Sequence, residues 1–283
     1  MMLDVSDIDW NEAWKHEASA PGKTGSFVSC IDRWSDPARC RKFSCTAKEG
    51  NWKGSRARIG AMNLTPDSRV LDIGAGPGTL AVPLAKIVRH VTAVEPAPGM
   101  VACLEENCRE ESIENIRIVP KKWEDMDISA DPDAPYDVVV ASYSLGVPDL
   151  REALRKMNTA SSKYVYIFWF ADMQSPWRRN YHEIWEPLFG ECARKKGRPN
   201  IIVNLLNQMG IYASVEVTKE EQMTGFASLD EAVADQAGGL KLKSEEQVAV
   251  LRTYLEKKLL YENGRYVLKG PSYQAKIWWE KED

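Results

Sequence analysis

The chain has 283 residues, of which 44% are hydrophobic and 28% are charged, and its formal net charge is −4. This composition is ordinary for a globular protein and long enough for one domain with a substantial cap. The net negative charge argues against broad contact with nucleic acid. Neither a signal peptide nor an apolar run of membrane-spanning length is evident, so we expect a cytoplasmic protein with no membrane partner.

The first 55 residues precede any alternation of strands and helices. Trp10 and Trp14 are one helical turn apart, which is typical of a helix and predicts a helical cap. Lysines and arginines are dense between residues 32 and 58. They form either a solvated helical face or an anion site for an acidic substrate or an RNA phosphate. Cys30, Cys40 and Cys45 match no zinc spacing, and we predict no metal site.

Residues 70–80 are the most informative segment of the chain. They read Val-Leu-Asp-Ile-Gly-Ala-Gly-Pro-Gly-Thr-Leu, which predicts a buried strand, a turn with three glycines and the start of a helix. Glycines allow a sharp turn and a close approach to a ligand, and the helix start offers unpaired N–H groups. In the dinucleotide fingerprint, Gly-x-Gly-x-x-Gly, the third glycine comes one residue later than it does here. The negative charge of Asp72 would also repel a pyrophosphate. The turn therefore favours a ligand with a positively charged group.

A second predicted strand, residues 91–95, ends in Glu95. This acid lies 19 residues beyond Gly76, close to the offset of about 20 residues at which a second-strand carboxylate reaches ribose hydroxyls. Together the two segments resemble the class I S-adenosylmethionine-dependent methyltransferases, and in particular the small-molecule methyltransferase-domain group of types 11 and 25. The resemblance implies S-adenosylmethionine as cofactor, with S-adenosylhomocysteine as the product.

The fold that this resemblance implies is α/β, with a seven-stranded Rossmann-like sheet, helices on both faces, an N-terminal helical cap and a C-terminal helical insertion. The chain pattern predicts strands at residues 69–73, 91–95, 116–120, 136–141, 164–170, 212–217 and 272–279. It predicts helices at residues 78–88, 98–111, 150–158, 175–194 and 199–209, and two more within 228–262. We expect a cap at 1–55, a cofactor-binding core at 56–218, a helical insertion or lid at 219–271 and a closing strand at 272–283.

The resemblance also implies candidate site residues. Cofactor contacts are expected from the glycine turn and the ends of the following strands: Asp72, Gly74, Gly76, Gly78, Glu95, Pro96, Met100, Trp123, Glu124 and Ala141. At Lys122 the chain departs from the family, which usually has an acid there. Candidate catalytic residues are Tyr143, after the fourth strand, and His182. Candidate substrate contacts are Trp34, Asp172, Trp177, Arg178 and Tyr181.

These features favour a methyltransferase that acts on a small molecule in a lidded pocket. Methyl transfer from a sulfonium needs mainly alignment and the exclusion of water, so nitrogen, oxygen, carbon and sulfur acceptors all stay open. A methyltransferase acting on a protein side chain or on RNA is the first alternative, and the basic segment supports it. The second is a non-catalytic sensor module that binds S-adenosylmethionine or S-adenosylhomocysteine.

Overall fold

The computed structural model describes residues 8–19, 34, 36–171, 181–190 and 198–281. The strands are β1 (Arg69–Ile73), β2 (His90–Val94), β3 (Ile116–Val119), β4 (Tyr136–Ser142), β5 (Ser161–Phe170), β6 (Ser214–Phe226), β7 (Leu260–Glu262) and β8 (Arg265–Glu280). The helices are α1 (Trp10–Ser19), α2 (Pro37–Glu49), α3 (Lys53–Gly60), α4 (Ala81–Ala85), α5 (Pro98–Glu110), α6 (Leu150–Ala160), α7 (Trp185–Phe189), α8 (Arg198–Gln208), α9 (Leu229–Leu240) and α10 (Glu245–Lys258).

One mixed sheet forms the centre of the structure. Its strand order is β3-β2-β1-β4-β5-β8-β6, and the short strand β7 pairs with β8. Strands β1 to β5 are parallel, whereas β8 is antiparallel to β5 and β6. Because the strand order reverses at β1, a crevice opens at the carboxyl ends of the parallel strands, where such sheets bind ligands. We call this side the carboxyl edge. The predicted seven-stranded α/β fold is confirmed, with β7 as an additional strand.

Helices cover both faces of the sheet. On one face α3, α4 and α5 pack on strand side chains that include Val138 and Val140. On the other face α1, α6 and α8 pack on side chains that include Val139 and Ile167. Successive residues of β4 point to opposite faces, as the two-residue period of a strand requires. A strand buried on both faces is a nearly continuous apolar run, which is why the sequence indicated it correctly.

The described part of the N-terminal cap contacts the loops that follow two parallel strands. Trp14 of α1 is buried, and its indole Nε1 donates a hydrogen bond of 2.8 Å to the carbonyl oxygen of Val147, in the loop after β4. Helix α2 packs on α5, the helix after β2, through a small buried cluster of Cys40, Met100 and Cys103. The cap therefore borders the carboxyl edge on the β2 side and on the β4 side.

The last two long strands extend further than the sequence pattern predicts. Strand β6 continues to Phe226 instead of ending at residue 217, and β8 begins at Arg265 instead of at residue 272. Strand β5 follows β8 only as far as the pair of Phe170 and Gln274, so the rest of the β6–β8 hairpin extends beyond the carboxyl edge. The described side chains from 214 to 225 are all exposed. A strand without a buried face shows no apolar alternation, which is why the sequence missed the extension of β6.

The extended hairpin carries a helical lid, which consists of α7, α9 and α10. These helices share their own apolar cluster, in which Trp185 of α7 packs with Phe226 of β6 and Leu268 of β8. Lys42 of α2 lies 3.7 Å from Asp235 of α9. The cap and the lid therefore meet at this ion pair between two exposed side chains.

Two predicted helices differ from the structure. The helix predicted at 78–88 is shorter in the structure, Ala81–Ala85. The φ of +87° keeps Gly78 out of it, because a right-handed helix does not accommodate this conformation. The helix predicted at 175–194 lies largely outside the described residues, and the described part contains the short 3₁₀ turn His182–Ile184 followed by α7. Within the described ranges, no helix is both long and apolar enough to cross a membrane.

Candidate functional site

The three glycines after β1 all have left-handed backbone conformations, with φ values of +69°, +59° and +87° for Gly74, Gly76 and Gly78. A Cβ atom on Gly74 would lie 2.3 Å from the Cβ of Ser144, and one on Gly78 would lie 2.5 Å from Cδ1 of Leu104. Packing therefore excludes side chains at these two positions. A Cβ atom on Gly76 would meet no atom within 4 Å. Gly76 borders open space at the carboxyl edge, where a ligand can approach the backbone closely.

Asp72, near the end of β1, is a buried carboxyl group with an incompletely compensated charge. Burial raises its pKa to about 7; Arg58 and the N–H of Ala81 lower the pKa, and Glu95 raises it. Its Oδ2 atom has no hydrogen-bond partner in the described part of the chain. A buried carboxylate oxygen in this state is costly unless a ligand supplies a donor or a positive charge. Asp72 therefore lies where a cationic ligand group would be stabilised.

Arg58, which belongs to the basic segment of the sequence, is a further candidate residue at the carboxyl edge. It lies on α3, where its Nη2 donates to Oγ of Ser55 at 3.3 Å, and its Cζ is 5.4 Å from the centroid of the Tyr143 ring. It is also the charged group that most lowers the pKa of Asp72. The Nε atom of Arg58 is buried without a hydrogen-bond partner among the described residues. The carboxyl edge thus contains an unpartnered donor on Arg58 and an unpartnered acceptor on Asp72.

Glu95 connects the ends of β1 and β2. Its Oε2 accepts a hydrogen bond from the N–H of Gly76 and its Oε1 accepts one from the N–H of Ala97, each at 2.8 Å. Burial raises the pKa of this carboxyl group, and the two N–H donors lower it. Each carboxylate oxygen has a further lone pair, so Glu95 can accept hydrogen bonds from two neighbouring hydroxyl groups while it holds the turn.

The remaining predicted cofactor residues differ in exposure. Pro96 is half-buried and Glu124 is exposed, whereas Met100, Trp123 and Ala141 are buried. The Met100 side chain packs in the cluster between α2 and α5, and the Trp123 indole donates to a carbonyl oxygen of α6 at 3.4 Å. These two side chains are therefore engaged in packing. For Trp123 this arrangement leaves only the backbone for the expected contact with the cofactor.

Tyr143 follows β4 with a φ of +56°, a conformation that bulky residues rarely adopt. Its N–H donates to the carbonyl oxygen of Phe168 at 2.9 Å, its ring lies 4.8 Å from that of Phe170, and its hydroxyl donates to Oε1 of Gln274 at 2.5 Å. Burial raises the pKa of the phenol to about 12, so Tyr143 stays protonated near neutral pH. Strained residues held by surrounding contacts are concentrated at functional sites. Because its phenol is protonated, Tyr143 is suited to positioning a substrate rather than to removing a proton.

The candidate substrate contacts are not all brought to this edge. Tyr181 is fully buried in the lid cluster, where its hydroxyl donates to Gln236 at 2.5 Å, so the structure leaves no substrate-facing surface on it. His182 is exposed on the lid. Trp34 packs beside Phe43 and against the cluster between α2 and α5, on the β2 side of the edge rather than beside Tyr143. The other three candidates, Asp172, Trp177 and Arg178, lie outside the described residues.

Comparison with known proteins places this site in a family. Residues 70–162 match the family model described as a methyltransferase domain. An uncharacterized protein of Haemophilus influenzae is 30% identical over 223 residues, which are 77% of this chain and 78% of that protein. The 23S rRNA (uracil(1939)-C(5))-methyltransferase RlmD of Xanthomonas euvesicatoria is 39% identical over 57 residues, which are 20% of this chain and 13% of that enzyme. The YcgJ protein of Bacillus subtilis has the same fold, with a TM-score of 0.55 and 16% identity over 81% of this chain and 98% of that one.

The chain belongs to the class I S-adenosylmethionine-dependent methyltransferases, and S-adenosylmethionine is its cofactor. The residues at the carboxyl edge fit this cofactor, which carries a ribose, a sulfonium, an α-ammonium and an α-carboxylate group. Open space beside Gly76 accommodates a ligand, and Glu95 presents lone pairs suited to a diol. Asp72 and Arg58 offer the unpartnered acceptor and donor that an ammonium and a carboxylate require.

Proposed function

We propose that this enzyme transfers the methyl group of S-adenosylmethionine to a small-molecule acceptor bound between the carboxyl edge and the helical lid. The register of β8 carries the proposal. The residues of this strand that precede Gln274 are not paired with β5, and they form a hairpin with β6 whose helices stand beyond the edge that contains the glycine turn. A ligand bound there would be bordered by the cap and covered by the lid. A site bordered on two sides in this way suits a small ligand better than a large one.

In this proposal the amino-acid end of the cofactor lies at Arg58 and Asp72. The Nε–H of Arg58 donates to the cofactor carboxylate, and Oδ2 of Asp72 accepts from its ammonium group. Neither protein atom has a partner among the described residues, which supports the assignment. The ribose hydroxyls donate to Glu95, and the backbone at Gly76 lies against the ligand. A neighbouring cation and anion complement a zwitterion better than they complement a pyrophosphate.

The acceptor lies after β4 and β5, beside Tyr143 and Phe170. Bound S-adenosylmethionine supplies the activated methyl group, so the protein has to align the acceptor atom and exclude water. The aromatic rings of Tyr143 and Phe170, 4.8 Å apart, provide an apolar wall for this purpose. The Tyr143 ring helps to orient the acceptor, and its phenol stays protonated and does not act as a base.

The proposal is tested by mass spectrometry of a cell extract after incubation with the enzyme and deuterated-methyl cofactor. The expected result is a labelled low-molecular-weight product that is absent with Gly76→Arg, a variant whose side chain enters the open space beside the turn. Gly210→Arg is the matched control, because Gly210 is exposed, has a similar left-handed φ of +75° and borders open space between α8 and the start of β6, at the opposite end of the sheet from the turn. Label found only in RNA or protein would contradict the small-molecule proposal.

An RNA acceptor is the second candidate, and the exposed basic face of α2 favours it. Arg39 and Arg41 are exposed there, while Lys42 lies near Asp235 of the lid. The matched relative from Xanthomonas is an rRNA methyltransferase. An RNA substrate requires an affinity that falls with salt and with neutralisation of Arg39 and Arg41. Absence of RNA binding at low salt would remove this candidate.

A sensor that binds the cofactor without turnover is the third candidate. It requires binding of S-adenosylmethionine by calorimetry together with no labelled product in any fraction of the extract. A labelled product of any kind would exclude it.

A further inference from the structure

Three polar side chains connect the extended hairpin to the carboxyl edge. The hydroxyl of Tyr143, after β4, donates to Oε1 of Gln274 on β8 at 2.5 Å. Nε2 of Gln274 in turn donates to Oε2 of Glu220 on β6 at 2.6 Å. Gln274 is half-buried and Glu220 is exposed, so the connection runs from solvent on the hairpin to the interior of the site.

The chemistry of these groups sets the direction of both hydrogen bonds. A carboxylate only accepts hydrogen bonds, so Glu220 requires the NH₂ group of the Gln274 amide to face it. The amide oxygen of Gln274 then faces Tyr143, and the phenol has to donate its proton to that oxygen. The orientation of an amide is normally ambiguous, but here the acidic end of the connection resolves it. The lone pairs of the Tyr143 oxygen are left for another donor.

Arg58 is the charged donor group that lies beside this phenol, with its Cζ 5.4 Å from the centroid of the Tyr143 ring. Burial raises the pKa of the phenol, and the neighbouring guanidinium of Arg58 lowers it. A guanidinium group has only donors, so it is stabilised by an oxygen whose own proton points elsewhere. The same guanidinium carries the buried Nε that has no partner among the described residues.

We propose that Gln274 and Glu220 are positioning residues for the amino-acid end of the cofactor. They orient the phenol of Tyr143 so that its oxygen faces Arg58, and this contact holds the guanidinium beside Asp72. The inference rests on the proposed role of Arg58 in cofactor binding. In this proposal the hairpin that carries the lid contributes to cofactor binding indirectly, because Gln274 and Glu220 act through Tyr143 and Arg58 and do not touch the cofactor.

Calorimetric titration with S-adenosylhomocysteine tests the proposal, because this ligand is known in advance of the acceptor. Glu220→Gln lets the Gln274 amide reverse, and Gln274→Leu removes the acceptor of the phenol. Each variant is expected to weaken binding about fivefold, the effect of losing one oriented hydrogen bond near a charged group. Glu216→Gln is the matched control: Glu216 is an exposed acid on the same face of β6, and it pairs with Lys276 at 2.8 Å. Its affinity should equal that of the wild type.

A double-mutant cycle separates positioning from a general effect on the hairpin. In a Tyr143→Phe background the phenol is absent, so Glu220→Gln should no longer change the affinity. An ultraviolet pH titration gives a second readout, in which Tyr143 is identified by difference from Tyr143→Phe. Removal of the Glu220 charge should lower the phenol pKa, because this carboxylate raises it.

The outcomes distinguish the two proposals. Wild-type affinity in both Glu220→Gln and Gln274→Leu would overturn the positioning role and leave the cofactor site intact. So would an effect of Glu220→Gln that persists undiminished in the Tyr143→Phe background. A folded wild-type protein that does not bind S-adenosylhomocysteine would instead overturn the proposed function, and this inference with it.

Discussion

Arg58 is the charged group that most lowers the pKa of Asp72, yet Nε of Arg58 and Oδ2 of Asp72 both lack hydrogen-bond partners among the described residues. The two side chains come from α3 and β1, and they leave one donor and one acceptor at the same edge of the sheet. A ligand with a carboxylate and an ammonium group would satisfy both atoms.

The raised pKa of Asp72 predicts a pH-dependent gain in stability for Asp72→Asn. The carboxyl has an ordinary pKa of 3.8 when the chain is unfolded and a pKa of about 7 when it is folded. Between these values the folded state keeps a proton that the unfolded state has lost, so the free energy of unfolding falls as the pH rises. Asp72→Asn lacks this penalty, which is about 1.4 kcal/mol per unit of pKa difference.

Thermal unfolding of the ligand-free protein checks this prediction. The difference in Tm between variant and wild type should grow from pH 4 to pH 7 and be constant above pH 7. A difference that is independent of pH would contradict the raised pKa.

The same carboxyl group makes cofactor binding pH-dependent. An ammonium group beside Asp72 favours the ionised form, so binding below pH 7 should release a proton from Asp72. The affinity for S-adenosylhomocysteine should therefore rise with pH up to about pH 7, where the free carboxyl ionises. Calorimetry in two buffers of different ionisation enthalpy measures the proton release directly. Asp72→Asn serves as the control and should show no proton release from this site.

Glu95→Gln should weaken cofactor binding while the fold is retained. The carboxylate accepts from two backbone N–H groups, and a glutamine amide has only one oxygen, so one N–H would face an NH₂ group. We expect the affinity for S-adenosylhomocysteine to fall at least about tenfold. Glu114→Gln is the control, because Glu114 is exposed and precedes β3, at the end of that strand away from the carboxyl edge. Equal affinity in both variants would remove Glu95 from the site.

Gly76→Ala and Gly78→Ala should separate binding from stability. The added Cβ at Gly78 would lie 2.5 Å from Leu104 and 2.8 Å from Val82, and overpacking of this kind typically costs about 1–3 kcal/mol. At Gly76 the Cβ meets no protein atom, so only the left-handed backbone penalty of about 1–2 kcal/mol applies. We expect Gly78→Ala to have the lower Tm. We expect Gly76→Ala to lose more cofactor affinity for each degree of Tm that it loses. If Gly78→Ala instead lost more affinity per degree, the ligand would not use the space beside Gly76.

Trp14→Phe should loosen the loop that follows β4. The substitution removes the 2.8 Å hydrogen bond from the indole to the carbonyl oxygen of Val147, a buried acceptor, at a cost of about 1–2 kcal/mol. Chemical denaturation measures the loss. Trp10→Phe, one turn earlier on the same helix, is the control and should change stability less, since Trp10 is only partly buried. Comparable losses in the two variants would contradict a specific role of the Val147 contact.

The parts of the site that could be predicted from sequence depend on local spacing. Asp72, the glycines and Glu95 lie within two strand–turn–helix units, whose geometry follows from a short stretch of chain. Arg58 was missed as a site residue because its position depends on how α3 packs across the sheet. A basic residue on an amphipathic helix is usually solvated, so its type alone gave no signal.

The length of the hairpin was missed for a different physical reason. Secondary-structure prediction from periodicity detects a strand through its buried face, and the described part of β6 up to residue 225 has none. The contact of Gln274 with Glu220 depends on this extension, so the polar connection to Tyr143 was also beyond prediction. The sequence suggested Tyr181 as a substrate contact on a helix, whereas the structure places its ring among the buried apolar side chains of the lid.

The central position of β8 affects how this protein folds. This strand lies between β5 and β6 although it follows both of them in the chain, so each neighbour keeps an unsatisfied row of backbone N–H and C=O groups until β8 inserts. Contacts between segments far apart in sequence form slowly, and open strand edges in partly folded chains promote aggregation. During synthesis on the ribosome, β1 to β5 emerge long before the strand that completes their sheet, and that interval is when chaperones would be needed most.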